Sequence, residues 1–553
     1  MDEERLIRGA ARPWALGVAE RDVAAHVAHM LRVRREFAYQ RDIPLELFIE
    51  YALPMRAGDE PPVRCAELFY AQLAPALRNM PLAEAATLTN YYCMANVTYK
   101  YNDAPTRDVL SVFTGGHGRC GEESAFAVMA YRAVGIPCRQ VYAKRWSHCE
   151  DNHAWIECYT GDGWSYAGAC EARDALNAGW FDAAASRAQY IRALTYGEGD
   201  AYIEREGAMG AVNVTSRYAA TSTLRVRAMR GAQPAPYARL HVELFNSGAM
   251  RRLLTLACDR DGWAEAELGR GDVFLCSYSH EGLCMKQVDL SRDCEVSFDL
   301  HDYIPDGEYC FTQRAARASV VQAAPPAETR MAGIAHARRR LLHPERTAPW
   351  KRPPSAVPAG SCELTLDLSF SPITAQGGNL SLERITDCGT EPVELDLRTP
   401  ALKLEPGRYR VNAMRRSASG DLKLRSQLLT LRRDMRVALS LPERAAVERL
   451  DVELPMAIDG RKIVVACGGE DEPSAHVERE LMERRPLLIS RGITVERLQP
   501  ARDELHALRA AFALEGDSLP VTFAAEGGRG RLALCGYFAG GVELLINALE
   551  DDT

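Results

Sequence analysis

Gly118-Arg119-Cys120-Gly121-Glu122-Glu123-Ser124-Ala125, followed through Gly135-Ile136-Pro137-Cys138-Arg139 by Asp151-Asn152-His153-Ala154-Trp155-Ile156-Glu157, is the stretch from which the chain is best read. Gly115-Gly116-His117-Gly118 cannot begin a helix comfortably. Ala125, Val128, Met129 and Arg132 recur at helical spacing, and Gly135 is suited to a C-terminal cap. Cys120 is therefore expected in the first turn of a helix. There, N–H groups lacking an intrahelical acceptor and the positive end of the helix dipole favour a thiolate over the free thiol of pKa ~8.5. Glu122 and Glu123 fall in the same turn and offset part of that effect. Activation then needs an added cation or base, and a histidine is the usual supplier.

Working outward, His153 to Tyr159 carries the strand formers Trp155, Ile156 and Tyr159. Thr160-Gly161-Asp162-Gly163 reads as a hairpin turn into Trp164-Ser165-Tyr166-Ala167, and residues 138 to 143 form an earlier short strand. A helix packed on such an antiparallel sheet would bring Cys120 to the strand bearing His153. A thiol at a helix start with an imidazole at a strand start points to acyl transfer at a carbonyl, by hydrolysis of an amide or exchange for another amine.

These residues resemble the transglutaminase-like cysteine enzymes of the papain-like superfamily. The matching elements are the Gly-x-Cys helix start, the Ala-Val-Gly-Ile-Pro-x-Arg run at 133 to 139, the strand His153-Ala154-Trp155-x-Glu157 and the Gly163-Trp164 turn. The resemblance implies a Cys-His-Asp triad of thiolate nucleophile, general base and orienting carboxylate. This chain departs from the pattern at the third member: Gly168 stands where the Asp is expected, in Tyr166-Ala167-Gly168-Ala169-Cys170-Glu171. Peptide N-glycanase members carry Asp-Pro-Cys-Glu at that place, and Gly168-Ala169-Cys170-Glu171 looks like that run without its Asp. Glu171 is the favoured replacement, with Asp151 and Asp174 as competitors. The alternative is a Cys-His dyad or an inactive site, in which Glu171 is a structural hydrogen-bonding residue.

His148 and Cys149 either line the cleft or belong to an ordinary polar loop. His148, Cys149, His153, Cys158 and Cys170 could in principle ligate a metal, yet no Cys-x-x-Cys pair occurs and the spacings match no structural zinc arrangement. No cofactor or metal is expected.

At 553 residues the chain is too long for a single core. Its 47% hydrophobic and 26% charged content suits a globular protein, and a net charge of -8 gives no reason to expect nucleic acid as partner. No run approaches a membrane span. The acidic start Met1-Asp2-Glu3-Glu4 lacks a signal-peptide core, and sixteen cysteines without a framework suit a reducing cytoplasm.

The expected organisation is multidomain α+β. Residues 1–104 form a helical region with Tyr91, Tyr92, Tyr99 and Tyr101 as possible substrate contacts or core aromatics. A transglutaminase-like catalytic core follows at 105–213, in which Arg173 to Arg187, including Asn177 to Asp182, covers the sheet. Alternating patterns at 214–318 and 361–447 read as two beta sandwiches, related by the elements Leu268 to Leu275 and Leu404 to Val411, each a Gly-containing turn feeding a strand. Between them, 319–360 is a Pro/Arg-rich linker with a short helix at Met331 to Leu342. Residues 455–553 alternate strands and helices, with Pro520 at the start of the third strand, an order that resembles the thioredoxin fold and its cis proline. The loop after the first strand, Gly468 to Ser474, contains no cysteine pair, and a lone Cys467 cannot perform dithiol exchange. The expected function is thiol-dependent acyl transfer on a protein or peptide substrate through Cys120, His153 and Glu171. Hydrolysis is favoured over amine cross-linking, and a scaffold that kept only the fold is the alternative.

Overall fold

The computed structural model describes residues 3–10, 12–102, 105–148, 151–197, 204–206, 209–315, 361–369, 379–395, 401–416, 421–442, 450–469, 472–514, 519–537 and 541–549. The expected linker helix at Met331 to Leu342 lies outside the described residues.

The N-terminal stretches form helices Glu20–Glu36, Ala66–Leu77 (α1) and Leu82–Asn96 (α2), with Val109–Gly115 (α3) leading to Cys120–Ala133 (α4). These early helices are not a separate body. Val27, Met30, Phe69, Leu73 and Ala85 bury in one continuous core with Phe126, Met129 and Tyr131 of α4. Every residue of α4 except Gly121 is buried, so the helix runs through the middle of the domain. An enclosed helix must have its end groups satisfied from within the protein. At its C-terminus Gly135 N–H reaches Arg132 O at 2.8 Å and Ile136 N–H reaches Tyr131 O at 3.1 Å, a Schellman closure. Gly135 has φ +77°, and a Cβ there would lie 2.4 Å from Gln40 Nε2, so glycine alone fits.

Against α4 lies a six-stranded sheet of Cys138–Ala143 (β1), His153–Tyr159 (β2), Trp164–Ala167 (β3), Arg192–Thr195 (β4), Glu204–Glu206 (β5) and Met209–Asn213 (β6). Its order is β3-β2-β1-β4-β6-β5, antiparallel throughout. Two side chains set the direction of α4 on it. The Arg132 guanidinium donates to Cys138 O at 3.0 and 2.8 Å, while the Gln140 amide donates to Gly121 O at 3.1 Å and Ser124 Oγ at 2.6 Å. Thus β1 runs antiparallel to α4, β2 runs parallel to it, and Cys120 and His153 both start their elements at the same end of the sheet.

The motif residues Arg139, Glu157 and Trp164 form one buried cluster. Arg139 donates twice to Glu157 Oε2, at 2.8 and 2.6 Å, and its guanidinium carbon sits 4.0 Å from the Trp164 ring centroid. Arg217 Nε and the Tyr218 hydroxyl each donate to Glu157 Oε1 at 2.7 Å, and Trp155 Nε1 donates to Tyr218 at 3.0 Å. A carboxylate with no exposure is thereby held by two cations and a phenol.

Beyond the core, sheets built on Thr221–Arg230 and on Arg239–Asn246 face each other across Leu224, Val226, Leu240, Val242 and Leu275. A second pair is built on Leu422–Leu431 and on Cys362–Leu368. Gly307–Gln313, within the range expected for the first sandwich, pairs antiparallel with Leu422–Leu431, so the chain enters the second sheet pair before residue 318. Both related turn elements cross between the two sheets of their sandwich: Gly269 ends a strand of one sheet and Asp272 begins a strand of the other, as do Leu404 and Gly407.

The last region has Arg461–Ala466 (β7), helix Glu472–Glu483 (α5), Thr494–Leu498 (β8), Val521–Glu526 (β9) and Arg529–Cys535 (β10). The order is β8-β7-β9-β10, with β7 parallel to β8 and antiparallel to β9, and Leu519-Pro520 is cis. A second helix, Arg485–Ser490, follows α5 directly after a break at Arg484.

Glu157→Gln should lower the stability of the core by on the order of 3–5 kcal/mol in denaturant unfolding, because it strands the buried Arg139 guanidinium. The exposed Glu265→Gln should stay within about 0.5 kcal/mol of wild type. Burial opposes the Glu157 charge, but Arg139 and Arg217 outweigh it and hold the carboxyl below its usual range. A depressed carboxyl stabilises fully above its unfolded value near ~4.3 and loses that contribution as pH falls through the folded value. The stability gap between wild type and Glu157→Gln should accordingly narrow below about pH 4. A gap unchanged at about pH 3 would contradict the assignment.

Candidate active site

Cys120 is the first residue of α4 and 8% exposed. The expectation that Glu122 weakens a thiolate there needs correction, because its charge is spoken for. Glu122 is fully buried and accepts from the Arg107 side chain (Nε and Nη2) and backbone N–H, each at 3.0 Å, from Arg119 N–H at 3.1 Å and from Asn102 Nδ2 at 3.2 Å. Burial pushes its pKa up, yet Arg107 prevails and the net direction is down. Glu122 thus braces Asn102, Arg107 and Arg119 onto the helix start.

His153 opens β2 opposite Ala143 and is 2% exposed. Along β2, Ile156 and Cys158 join the core that holds α4, while Trp155 joins a second cluster with Val141, Ala143, Tyr166 and Phe181. The imidazole sits with this second group, its ring centroid 4.6 Å from Trp180, 5.0 Å from Phe181 and 5.8 Å from Trp155. The Asn177-to-Asp182 segment does cover the sheet, and Trp180 and Phe181 are its contact with His153.

Glu171 arrives through a tight turn. Its N–H bonds Gly168 O at 3.3 Å, and Cys170 takes φ +59° in the turn. The side chain folds back over Gly168: a Cβ at position 168 would lie 2.4 Å from Glu171 Oε2. The carboxylate therefore occupies the space that a side chain at 168 would enter. Trp180 Nε1 donates to both its oxygens, at 2.9 and 2.8 Å. One indole thus touches the carboxylate with its edge and the imidazole with its ring.

The competing carboxylates have other positions. Asp151 accepts from Asn152 N–H at 2.8 Å and lies 3.4 Å from His476 Nε2 of α5. Asp174 accepts from the Tyr91 hydroxyl, and Tyr92 donates to Gln72 at 2.8 Å. Tyr99 and Tyr101 meet the C-terminal region: Tyr99 Oη is 3.4 Å from His476 Nε2, and the Arg479 guanidinium carbon is 4.8 Å from the Tyr101 ring. Tyr537 stacks on His476 at 4.7 Å and packs against the cluster around Trp155.

The loop before His153 is held from outside the core. Asn246 Nδ2 donates to Trp146 O at 2.9 Å, Lys144 Nζ to Leu253 O at 3.1 Å, and Gln313 Nε2 to Ser147 O at 3.4 Å. His148 is buried with its ring 5.8 Å from Trp146; Cys149 lies outside the described residues. Sequence reading missed Trp180 as a site residue, and it missed Arg107, Asn246 and Gln313 altogether. Only Trp180 left a signal, as an aromatic within a segment expected to cover the sheet. Among the described residues, no three His, Cys, Asp or Glu side chains cluster as a metal would require. No described helix is long and apolar enough to cross a membrane.

The arrangement offers a thiol at a helix start, an imidazole at the same end of the sheet and a carboxylate joined to that imidazole through an indole. The profile of the transglutaminase-like superfamily matches residues 71–169, beginning within α1 and ending just after Gly168. Among solved structures, a candidate cysteine protease from Cytophaga hutchinsonii is 15% identical over 27% of this chain, with a TM-score of 0.18, and the match spans 57% of that protein. A DUF3823 family protein from Parabacteroides merdae is 10% identical over 38% of this chain and 98% of its own, with a TM-score of 0.13. No curated protein sequence matches. Residues 71–169, which include Cys120 and His153, form a transglutaminase-like domain.

Proposed function

We propose that this chain is a cysteine-dependent acyl-transfer enzyme acting on an amide or peptide carbonyl. Cys120 is the nucleophile, His153 the general base and acid, and Glu171 the carboxylate that orients His153. The thiolate adds to the carbonyl carbon, the amine leaves with a proton from His153, and a thioester remains on Cys120. Water activated by His153 then releases the acid and restores the thiol. Hydrolysis is preferred over transfer to an amine because water is abundant and no amine site is marked in the sequence.

The observation that carries this reading is the Glu171 carboxylate folded over Gly168, in the space that a side chain at 168 would enter. The carboxylate that the family pattern places on residue 168 is here supplied from 171, and the glycine leaves room for it. Trp180 holds it there and lies against the imidazole.

The surrounding regions are assigned supporting roles. The two sheet pairs are taken as immunoglobulin-like modules that buttress the core, and a peptide as the substrate. The C-terminal region is taken as a thioredoxin-like docking module, since its strand order fits and Gly468 to Ser474 has no cysteine pair. A cytoplasmic setting suits the thiol-rich composition.

Against a peptide and amide library, Cys120→Ala should abolish turnover. Glu171→Ala should lower it by on the order of 10²-fold or more. Gly168 does not have a left-handed φ, so its backbone accepts a side chain once Glu171 is shortened. Gly168→Asp combined with Glu171→Ala should therefore recover at least about tenfold of the loss, whereas Gly168→Asp alone should be impaired by the clash. A Glu171→Ala enzyme as fast as wild type would remove Glu171 from the site. Trp180→Phe keeps an aromatic ring against His153 and loses the N–H donor to Glu171, so its turnover should fall, and a turnover equal to wild type would remove that donor from the site.

A further inference from the structure

The carbonyl oxygen that becomes negative during attack needs donors placed in advance. The backbone N–H of Cys120 is one by virtue of its helix position. We propose that the hydroxyl of Tyr142 is the second, donating its hydrogen to the oxyanion that forms when Cys120 attacks. This rests on the reading of Cys120 as an acyl-accepting nucleophile.

Tyr142 is on β1, two residues beyond Gln140 and on the same face of the sheet. Gln140 already touches the first turn of α4, through Gly121 O and Ser124 Oγ. Since β1 runs antiparallel to α4, the next residue on that face advances about 6.6 Å toward the helix start. That step, about four residues of helix rise, carries the Tyr142 side chain from the level of Gly121 and Ser124 to the open end of α4, where Cys120 stands. Across the sheet, Tyr142 is in register with Ala154, beside His153, and its hydroxyl donates to Asn152 Oδ1 at 3.2 Å. The phenol thus lies between the nucleophile's end of the helix and the histidine's end of the strand. It is half-buried rather than sealed, so a bound carbonyl can displace the Asn152 contact.

The surroundings suit a neutral donor beside a developing anion. Burial pushes the phenol above its usual pKa, Arg145 pulls it down, and a charge on Cys120 pushes it up again, with a net rise that keeps the proton on through neutral pH. The Arg192 guanidinium carbon lies 5.9 Å from the Tyr142 ring, adding positive potential on the same side. Gln140, the neighbouring donor on the same face of β1, is committed to α4.

Two probes of the full-length protein separate this role from packing. With p-nitrophenyl acetate, Cys120 Sγ bonds the acetyl carbon, the carbonyl π pair moves to oxygen and returns, and p-nitrophenolate leaves. Iodoacetamide alkylates the same sulfur by displacing iodide, with no oxyanion formed. Tyr142→Phe should slow acylation of Cys120 by about tenfold or more, given the ~10²–10³ measured for removing a strong oxyanion donor elsewhere. Alkylation should stay within about twofold of wild type, as thiolate supply is untouched. A fall in both rates alike, or in neither, would overturn the assignment. Should Tyr142→Phe fail to fold, 3-fluorotyrosine at position 142 keeps the shape while sharpening the donor. It must then change the ratio of acylation to alkylation, and an unchanged ratio overturns the proposal. A wild-type Cys120 that reacts with neither probe faster than the other accessible thiols would sink the nucleophile itself and this role with it; a reactive Cys120 indifferent to Tyr142 would sink this role alone.

Discussion

Everything at the site depends on how α4 is fixed against the sheet. A helix buried on nearly every face has no freedom to choose its end, and Arg132 and Gln140 clamp it to β1 at two points. Arg132 satisfies Cys138 O and also Arg56 O at 2.7 Å, so the same guanidinium joins the helix, the strand and the N-terminal region. Because β1 and β2 are antiparallel neighbours in register, that clamp also decides where His153 stands. Glu122 and Arg107 then secure the start of α4, which turns an apparent electrostatic liability into a brace.

The parts legible in sequence were those with a local signature. The helix start at Cys120, the cap at Gly135, the three strands from 138 to 167 and the Gly163-Trp164 turn all follow from period and turn chemistry, and each is found where expected. Glu171 was legible only as the nearest carboxylate to an unexpected glycine. What sequence could not supply is the physical reason for that glycine, since the overlap of Gly168 with the folded-back Glu171 side chain is a three-dimensional fact. Trp180 was hidden in the same way: its N–H and its ring serve two residues far apart in the chain, and no spacing announces that.

The accessory regions were read from pattern as separate modules, yet their contacts converge on the loop before His153. Asn246 and Gln313 reach the backbone of Trp146 and Ser147 from the sheet pairs, and His476 reaches Asp151 from α5. Gly269 shows how close the approach is: a Cβ there would lie 1.8 Å from Ala188 O, so glycine is what allows the first sheet pair to meet the core. Such contacts link residues 80 or more positions apart and leave no periodic trace. Trp146, Ser147 and Asp151, which lead toward His153, are therefore held from three other regions, and substitutions at Asn246, Gln313 and His476 are expected to be felt at the site.

The central claim is that Cys120 and His153 operate as a coupled pair. It is tested most directly by the rate of iodoacetamide alkylation of Cys120 as a function of pH, in wild type and in His153→Ala. The account predicts that wild-type alkylation stays fast well below the ~8.5 of a free thiol, and that His153→Ala shifts the profile upward toward that value. A wild-type profile that rises only near ~8.5, unchanged by His153→Ala, would contradict it.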